Sequence, residues 1–135
     1  MDQSLRELYQ EVILDHSRHP RHFGTLEHPT HKAEGYNPLC GDRVAVTLVL
    51  NQENRVADIK FTGKGCAISQ ASASMLTDEV IGKSLEELKH FDKQTVLDML
   101  GIPLGPSRVK CALLPLKVMK ASAYGMPEVL DEEED

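Results

Sequence analysis

The sequence predicts an α+β domain in which a small three-stranded antiparallel sheet packs against several helices. Alternating apolar residues over 44–50 predict a strand, and a turn followed by a second apolar stretch predicts a hairpin. Segments in which apolar residues recur with helical spacing lie on both sides of this hairpin. A chain of 135 residues has the length of one domain, which we place at residues 1–126, followed by an acidic tail at residues 127–135.

The first predicted element is a helix that begins near Ser4. Ser4 is a favourable N-cap residue, and Glu7 three positions later completes a capping-box pattern. A single apolar stripe along this helix consists of Leu5, Leu8, Tyr9, Val12 and Ile13. Pro20 and Gly24 end the element, and residues 20–38, which are rich in proline, glycine and histidine, predict a loop.

The predicted hairpin follows this loop. Its first strand places Val44, Val46, Leu48 and Leu50 on one face. Residues 51–54 form the predicted turn and residues 55–61 the second strand. Gly63 and Gly65 interrupt the pattern, so that residues 66–69 predict either a short third strand or a crossover into a helix.

Helices dominate the rest of the chain. Small residues at 71–74 predict a helix over 69–81 that packs closely on the sheet, with Gly82 at its C′ position. Ser84 predicts the cap of a short helix, and a further helix is expected over 93–100. A last helix is expected over 109–124, where Pro115 predicts either a kink or a later start near Cys111.

The charge distribution argues against nucleic-acid and membrane partners. The net charge is −6, and five of the negative charges come from residues 131–135, so the remainder carries about −1. A domain that binds nucleic acid needs a basic stripe, which this sequence lacks. The first ten residues lack the features of a signal peptide, and the longest apolar runs are too short to cross a bilayer. We therefore expect a cytoplasmic protein.

The three cysteines are the residues most indicative of chemistry. Cys40, Cys66 and Cys111 each lie at a break between predicted elements, and the first two have a glycine neighbour. Their odd number, without an export signal, argues against a disulfide framework. Asp42 follows Cys40 by two positions, so that three thiolates and a carboxylate would complete a tetrahedral zinc site or hold an iron–sulfur cluster. The gaps of 26 and 45 residues match no zinc-ribbon pattern, and spacing alone leaves three unrelated thiols as an equal alternative.

Basic residues and histidines near these positions suggest further roles. Lys64, Arg108 and Lys110 lie close to Cys66 or Cys111 in the sequence and would favour the thiolate form. Lys110 is accordingly a candidate for persulfide chemistry. His16 and His19 have the i, i+3 spacing of a ligand pair, but histidines near a helix C-terminus are more often electrostatic partners of the helix.

The motifs together are similar to those of one family, the IscU and SufU scaffold proteins of iron–sulfur cluster assembly and the N-terminal part of NifU. The resemblance extends from Leu5 to about Ala123 and is carried by Asp15-His16, Pro20-Arg21 and Gly24, Asn37-Pro-Leu-Cys-Gly-Asp42, Gly63-Lys-Gly-Cys-Ala-Ile-Ser69, Ala71-Ser-Ala-Ser74 and Arg108-Val-Lys-Cys111. The resemblance implies that Cys40, Asp42, Cys66 and Cys111 form the ligand set for zinc or for a transient [2Fe-2S] or [4Fe-4S] cluster. It also implies a pyridoxal-phosphate-dependent cysteine desulfurase as sulfur donor and apo iron–sulfur proteins as recipients. Cys40, Cys66 and Cys111 are all candidate sulfur acceptors, with Cys40 favoured.

The two branches of this family differ at positions that can be compared with this sequence. Lys110 occupies the place of the histidine that precedes the last cysteine in IscU proteins, and residues 104–108 replace the IscU chaperone segment, as in SufU proteins. The 45-residue gap between Cys66 and Cys111 instead resembles the shorter IscU length.

The sequence leaves several alternative functions open. The chain would be a scaffold or sulfur acceptor, a zinc-dependent sulfurtransferase that holds no cluster, or a structural zinc domain that binds another protein. A thiol enzyme with Cys66 or Cys111 as nucleophile is the fourth possibility, and it requires a base that the neighbouring sequence does not supply.

Overall fold

The computed structural model describes residues 3–38, 41–125 and 128–130, in the order α1 (Gln3–Arg18), β1 (His31–Asn37), β2 (Asp42–Leu50), β3 (Val56–Lys64), α2 (Ala67–Val80), α3 (Leu85–Leu88), α4 (Lys93–Leu100), α5 (Pro106–Ala123) and β4 (Glu128–Leu130). The sheet has the strand order β3-β2-β1-β4. β1, β2 and β3 form an antiparallel meander, and β4 pairs in parallel with β1. The α+β class and the three antiparallel strands are therefore confirmed.

One face of the sheet carries the core. Alternate residues of β2 and β3 point inward, and the helices α2 and α5 pack over them. The largest buried side chains of this layer are Val46, Leu48, Ile59, Phe61, Leu76, Leu114 and Met119. Residues 71–74 of α2 are buried and small, and the Ser72 hydroxyl donates a hydrogen bond of 2.7 Å to the Ala112 carbonyl of α5. This contact brings α2 and α5 close together beneath the sheet.

The third antiparallel strand lies in a different place from the predicted one. Residues 66–69 belong to the start of α2, whereas β1 occupies part of the segment 20–38 that the sequence predicts as a loop. The inward positions of β1 are Ala33, Gly35 and Asn37. Small and polar residues of this kind give no apolar alternation, and this is why the pattern fails to indicate a strand. α5 packs directly on these residues.

The apolar stripe predicted for α1 is only partly buried. Ile13 is 4% exposed, whereas Leu5, Leu8 and Val12 are exposed. Helix α1 packs on α2, and its less exposed positions Tyr9, Ile13 and His16 lie on one face of the helix. The apolar spacing of the stripe did not show which of its residues are buried.

The other helices agree with the sequence more closely. α4 spans the predicted residues. Ser84 is the N-cap of α3, as predicted, and forms a capping box with Glu87. α5 continues through Pro115 from Pro106 onward, so the alternative of a later start near Cys111 was wrong. Within the described ranges, no helix combines the length and apolar character needed to cross a bilayer.

Gly101 ends α4 in a left-handed conformation against a ring of α1. Its φ is +71°, and a Cβ at this position would lie 2.4 Å from Tyr9 Cδ1. We expect Gly101→Ala to lower the free energy of unfolding by about 2 kcal/mol or more, because it combines backbone strain with a ring clash. Gly82→Ala is the matched control, since Gly82 also has a positive φ but no atom within 4 Å of its Cβ position. Urea unfolding should show a loss of about 1 kcal/mol for that control, and equal losses for both variants would contradict the proposed ring contact.

The motif Asp15-His16 with Pro20-Arg21 connects the end of α1 to α2 through hydrogen bonds. His16 Nδ1 lies 2.7 Å from Ser74 Oγ, and the Arg21 backbone amide donates to the same oxygen at 2.8 Å. The Arg21 guanidinium pairs with the Asp15 carboxylate at 2.7 Å. This part of the family motif therefore has a structural role, and its histidine, His16, is explained by the contact with Ser74 without a metal.

Burial, with a smaller effect of Arg21, lowers the pKa of His16 below its usual 6.5, while Asp78 and Asp15 oppose this shift. The folded protein thus disfavours the protonated ring. The stabilisation of the folded state by the neutral His16 ring is therefore complete above pH 6.5, and it is lost as the pH falls toward the lowered pKa. We expect His16→Gln to flatten the decline of unfolding free energy between pH 7 and pH 5. His28→Gln, at an exposed loop position, should leave the slope unchanged in urea titrations. A slope that persists in His16→Gln would assign the decline to other groups.

Candidate metal centre

The turn between β1 and β2 brings the first candidate ligand into the core. Asn37 and Asp42 are cross-strand partners, and the Gly41 amide donates to the Asn37 carbonyl at 2.8 Å. Asp42 is the first residue of β2 and points to the inner face, where it is 1% exposed. Cys40 lies outside the described residues, two positions before Asp42 in the chain, and its place in the ligand set remains a prediction.

The Asp42 carboxylate is buried with one oxygen unpartnered. Oδ1 accepts a hydrogen bond of 3.3 Å from the Cys66 amide. Oδ2 is buried and has no hydrogen-bond partner in the part of the chain that the structure describes. A buried carboxylate oxygen without a partner is strongly unfavourable unless a cation or a proton satisfies it.

Gly65 allows this carboxylate to approach the backbone. A Cβ on Gly65 would lie 2.4 Å from Asp42 Oδ1, whereas real Cβ atoms almost never come within 3.0 Å of such a neighbour. Any side chain at this position would push the carboxylate away from Cys66. The glycine next to Cys66 is therefore explained by the close packing of a ligand against the chain.

The two described cysteines come from the N-terminal parts of two helices. Cys66 is the N-cap of α2, and Cys111 lies in the second turn of α5. The N-terminus of α2, where Cys66 lies, favours negative charge. Cys66 is half-buried, and Cys111 is only 2% exposed.

These three side chains converge on one point. Asp42, Cys66 and Cys111 each offer one ligand atom, and these atoms all lie within 4.8 Å of one another. They share a cavity of about 350 Å³ with Gly65, Ser107 and Arg108. The structure therefore brings Cys66 and Cys111 together with Asp42, as the predicted shared site requires.

The donor set fits a thiophilic metal. Two sulfur atoms and one carboxylate are ligands that zinc accepts in tetrahedral sites, and cysteine sulfur also holds iron–sulfur clusters. The unpartnered Asp42 Oδ2 supplies the observation that favours a cation at this point. Three described candidate ligands would leave one position of a tetrahedral site, for which Cys40 is the candidate from the sequence.

The basic residues that lie near the cysteines in the sequence differ in their position relative to the cavity. Arg108 lines the cavity, whereas Lys64 lies on the opposite face of the sheet, as the cross-strand partner of Arg43. Lys110 is half-buried and is not among the described residues that line the cavity. Because side chains alternate along β3, Lys64 points away from the cavity that Cys66 lines.

Ser107 also lines this cavity, although no sequence motif indicated a role for it. It lies four positions before Cys111, and this spacing places both residues on one face of α5. The helical spacing would have identified it had α5 been predicted to begin at Pro106. Its hydroxyl is suited to donate a hydrogen bond within the cavity.

Comparison with known proteins identifies the family. The family model of the NifU-like N terminal domain matches residues 8–129. The chain belongs to the NifU-like N-terminal domain family. The resemblance to IscU, SufU and NifU proteins predicted from the motifs is therefore confirmed.

Relatives of this NifU-like domain include proteins of both named branches. The iron–sulfur cluster assembly scaffold protein IscU of Streptococcus pyogenes serotype M1 is 36% identical, over 86% of this chain and 82% of the relative. The zinc-dependent sulfurtransferase SufU of Bacillus subtilis strain 168 is also 36% identical, over 87% of this chain and 90% of the relative. Identity therefore does not separate the two branches.

Solved structures share the fold of this NifU-like domain. A protein of Fervidobacterium islandicum AW-1, assigned to iron–sulfur cluster assembly for the SUF system, superposes with a TM-score of 0.73 at 31% identity, over 87% of this chain and 98% of that chain. The N-terminal part of a NifU-like protein from Brucella abortus gives a TM-score of 0.72 at 25% identity, over 90% and 96% of the two chains.

Proposed function

We propose that this NifU-like domain accepts sulfur from a cysteine desulfurase and holds zinc, or the nascent iron–sulfur cluster as its cargo, at Cys40, Asp42, Cys66 and Cys111. The observation that carries this proposal is the meeting of Asp42, Cys66 and Cys111 within 4.8 Å around an unpartnered carboxylate oxygen. The names of the IscU and SufU relatives support a role in cluster assembly. Apo iron–sulfur proteins are the proposed recipients.

Zinc, when bound at this site, would keep the cysteines deprotonated and fixed in position. The residues of the chain provide the remaining chemistry. The Cys66 amide donates a hydrogen bond to the Asp42 carboxylate, and Gly65, which has no side chain, leaves room for that carboxylate. Because a carboxylate is a weaker ligand than a thiolate for iron–sulfur clusters, Asp42 is suited to a cargo that must leave.

Burial argues against Cys111 as the thiol that receives sulfur. Thiol exchange requires access of the attacking thiolate to the persulfide. Cys111 is 2% exposed, which disfavours it, and Cys66 is half-buried at the start of α2. Cys40, which precedes β2 in the sequence, is the proposed acceptor, and Cys66 is the second candidate.

The proposed transfer is a balanced thiol exchange. The Cys40 thiolate attacks the terminal sulfur of the persulfide on the desulfurase cysteine, and a new S–S bond forms on Cys40. The S–S bond of the donor breaks, and its cysteine leaves as a thiolate. No external oxidant or reductant is consumed. Arg108 lines the cavity and offers a positive charge to the anionic sulfur.

Mass spectrometry of the protein after incubation with the desulfurase and cysteine tests this function. We expect one added sulfur atom on the wild-type chain, located on Cys40, and no addition in Cys40→Ala. An added sulfur only on Cys66 would transfer the role to that residue. Failure of all cysteines to gain sulfur, with zinc bound, would favour a structural zinc domain and would overturn the proposal.

A zinc-dependent sulfurtransferase that holds no cluster is the second candidate. It is favoured by Lys110 and Arg108, which match the SufU pattern, and by the similarity to the zinc-dependent sulfurtransferase of Bacillus subtilis. Anaerobic reconstitution with iron, cysteine and the desulfurase distinguishes the two. A chain that gains labelled sulfur but never iron and sulfide in equal amounts would support the relay.

A further inference from the structure

The face of the sheet opposite the helices carries a basic row at the end nearest the metal centre. Tyr36 of β1, Arg43 of β2 and Lys64 of β3 are successive cross-strand partners. They alternate with the buried Asn37 and Asp42, and this alternation places them on the outer face. The Arg43 guanidinium lies 5.1 Å from the centre of the Tyr36 ring.

This row borders an open cavity on the outer face. The cavity has a volume of about 660 Å³, and Phe23, Tyr36, Arg43 and Lys64 are among its lining residues. Arg43 and Lys64 are exposed, and neither forms an ion pair with any residue of the ranges 3–38, 41–125 and 128–130. The row therefore presents two positive charges beside two aromatic rings.

Strand β4 leads the chain directly to this row. It runs parallel to β1, and Leu130 is the partner of Tyr36. The next residues in the sequence, 131–135, are Asp, Glu, Glu, Glu and Asp. The acidic segment is thus joined to the end of β4 that pairs with Tyr36.

We infer that the acidic segment 131–135 docks on Arg43 and Lys64 across the outer face of its own chain. Three strand spacings separate β4 from β3, which is about 14 Å. Five extended residues span about 17 Å, so the segment is long enough to reach Lys64. The five negative charges complement the two positive ones, and the short connection to β4 gives the contact a high effective concentration.

The docked segment borders the turn that carries Cys40. Gly41 lines the same outer cavity as Arg43 and Lys64 and is the neighbour of both Cys40 and Asp42. The contact consists of exposed ion pairs, and it therefore weakens as salt is added.

Carbodiimide cross-linking of the full-length chain tests the contact, because this reagent joins only carboxylates and amines that touch. We expect the dominant link from residues 131–135 to be to Lys64, with at least a fivefold lower yield in 1 M salt. Equal yields at Lys32, Lys60 and Lys64 would mean a solvated segment and would overturn the inference. Links between isotopically light and heavy chains in a mixed sample would assign the contact to a second copy and would also overturn it.

Amide NMR shifts give a second measurement that does not need Lys64 as a reactant. Neutralising residues 131–135 to Asn and Gln should shift the amides of Tyr36, Arg43 and Lys64. Arg43→Gln in the wild-type chain should reproduce the shifts around Lys64, whereas Lys60→Gln, on the same strand but farther from β4, should not. Shifts confined to residues near the substituted tail would contradict docking. Neither measurement depends on metal or sulfur, so its failure would leave the proposed function untouched.

Discussion

Asp42→Asn is expected to change zinc affinity and the stability of the metal-free protein in opposite directions. The buried Oδ2 has no partner among the described residues, so removing its charge should raise the free energy of unfolding of the metal-free chain by about 1–3 kcal/mol. The remaining amide oxygen can still accept from the Cys66 amide. Loss of the anionic ligand should weaken zinc binding roughly 100-fold, which removes about 2.7 kcal/mol of zinc-induced stabilisation.

Urea unfolding with a chelator, and again with zinc, measures both effects. Asp58→Asn is the matched control, because Asp58 is an exposed carboxylate on β3. The control should change each quantity by less than about 0.5 kcal/mol. A metal-free Asp42→Asn chain that is less stable than wild type would mean that the carboxylate is satisfied without a cation, and it would contradict the role of Oδ2 as a metal ligand.

Gly65→Ala is expected to weaken zinc binding without removing any ligand. The added methyl group would overlap Asp42 Oδ1, and the carboxylate must then move away from Cys66. Displacing a metal ligand through its surroundings typically lowers affinity about 10–100-fold. Competition with a chromophoric chelator measures this change directly.

Gly105→Ala provides the control for the same chemical change. Gly105 lies at the N-cap of α5, close to the cavity residues Ser107 and Arg108, and no atom lies within 4 Å of its Cβ position. Its φ of −73° is accessible to alanine. Wild-type affinity in Gly65→Ala, or an equal loss in Gly105→Ala, would show that the approach of Asp42 to the backbone has no part in metal binding.

The parts of the fold predicted well from the sequence are those with local causes. The β2–β3 hairpin follows from apolar alternation, and α4 follows from its periodicity and from Gly101 at its end. β1 was missed because its inward residues are small or polar. The sequence did not predict which residues of the α1 stripe are buried, because tertiary packing decides which row of a helix is covered.

The candidate site was predictable in its residue types and less so in its arrangement. Cysteines beside glycines and an aspartate near Cys40 indicated a metal, and the family motifs selected the same residues. Their convergence depends on how α2 and α5 pack. The gaps of 26 and 45 residues between the cysteines do not encode this packing. The side of the sheet on which Lys64 lies depends on the register of β3 with β2. The choice of Cys40 as fourth ligand remains a prediction.

Cobalt binding tests the central claim most directly, because cobalt substitutes for zinc and its absorption reports sulfur ligands. We predict a tetrahedral spectrum with thiolate charge-transfer absorption for the wild-type chain. Cys40→Ser, Cys66→Ser and Cys111→Ser should each remove about a third of that absorption, since each would remove one of three sulfur ligands. A spectrum without thiolate absorption, or one unchanged by the substitution of Cys66 and Cys111, would contradict a shared metal site at Asp42, Cys66 and Cys111.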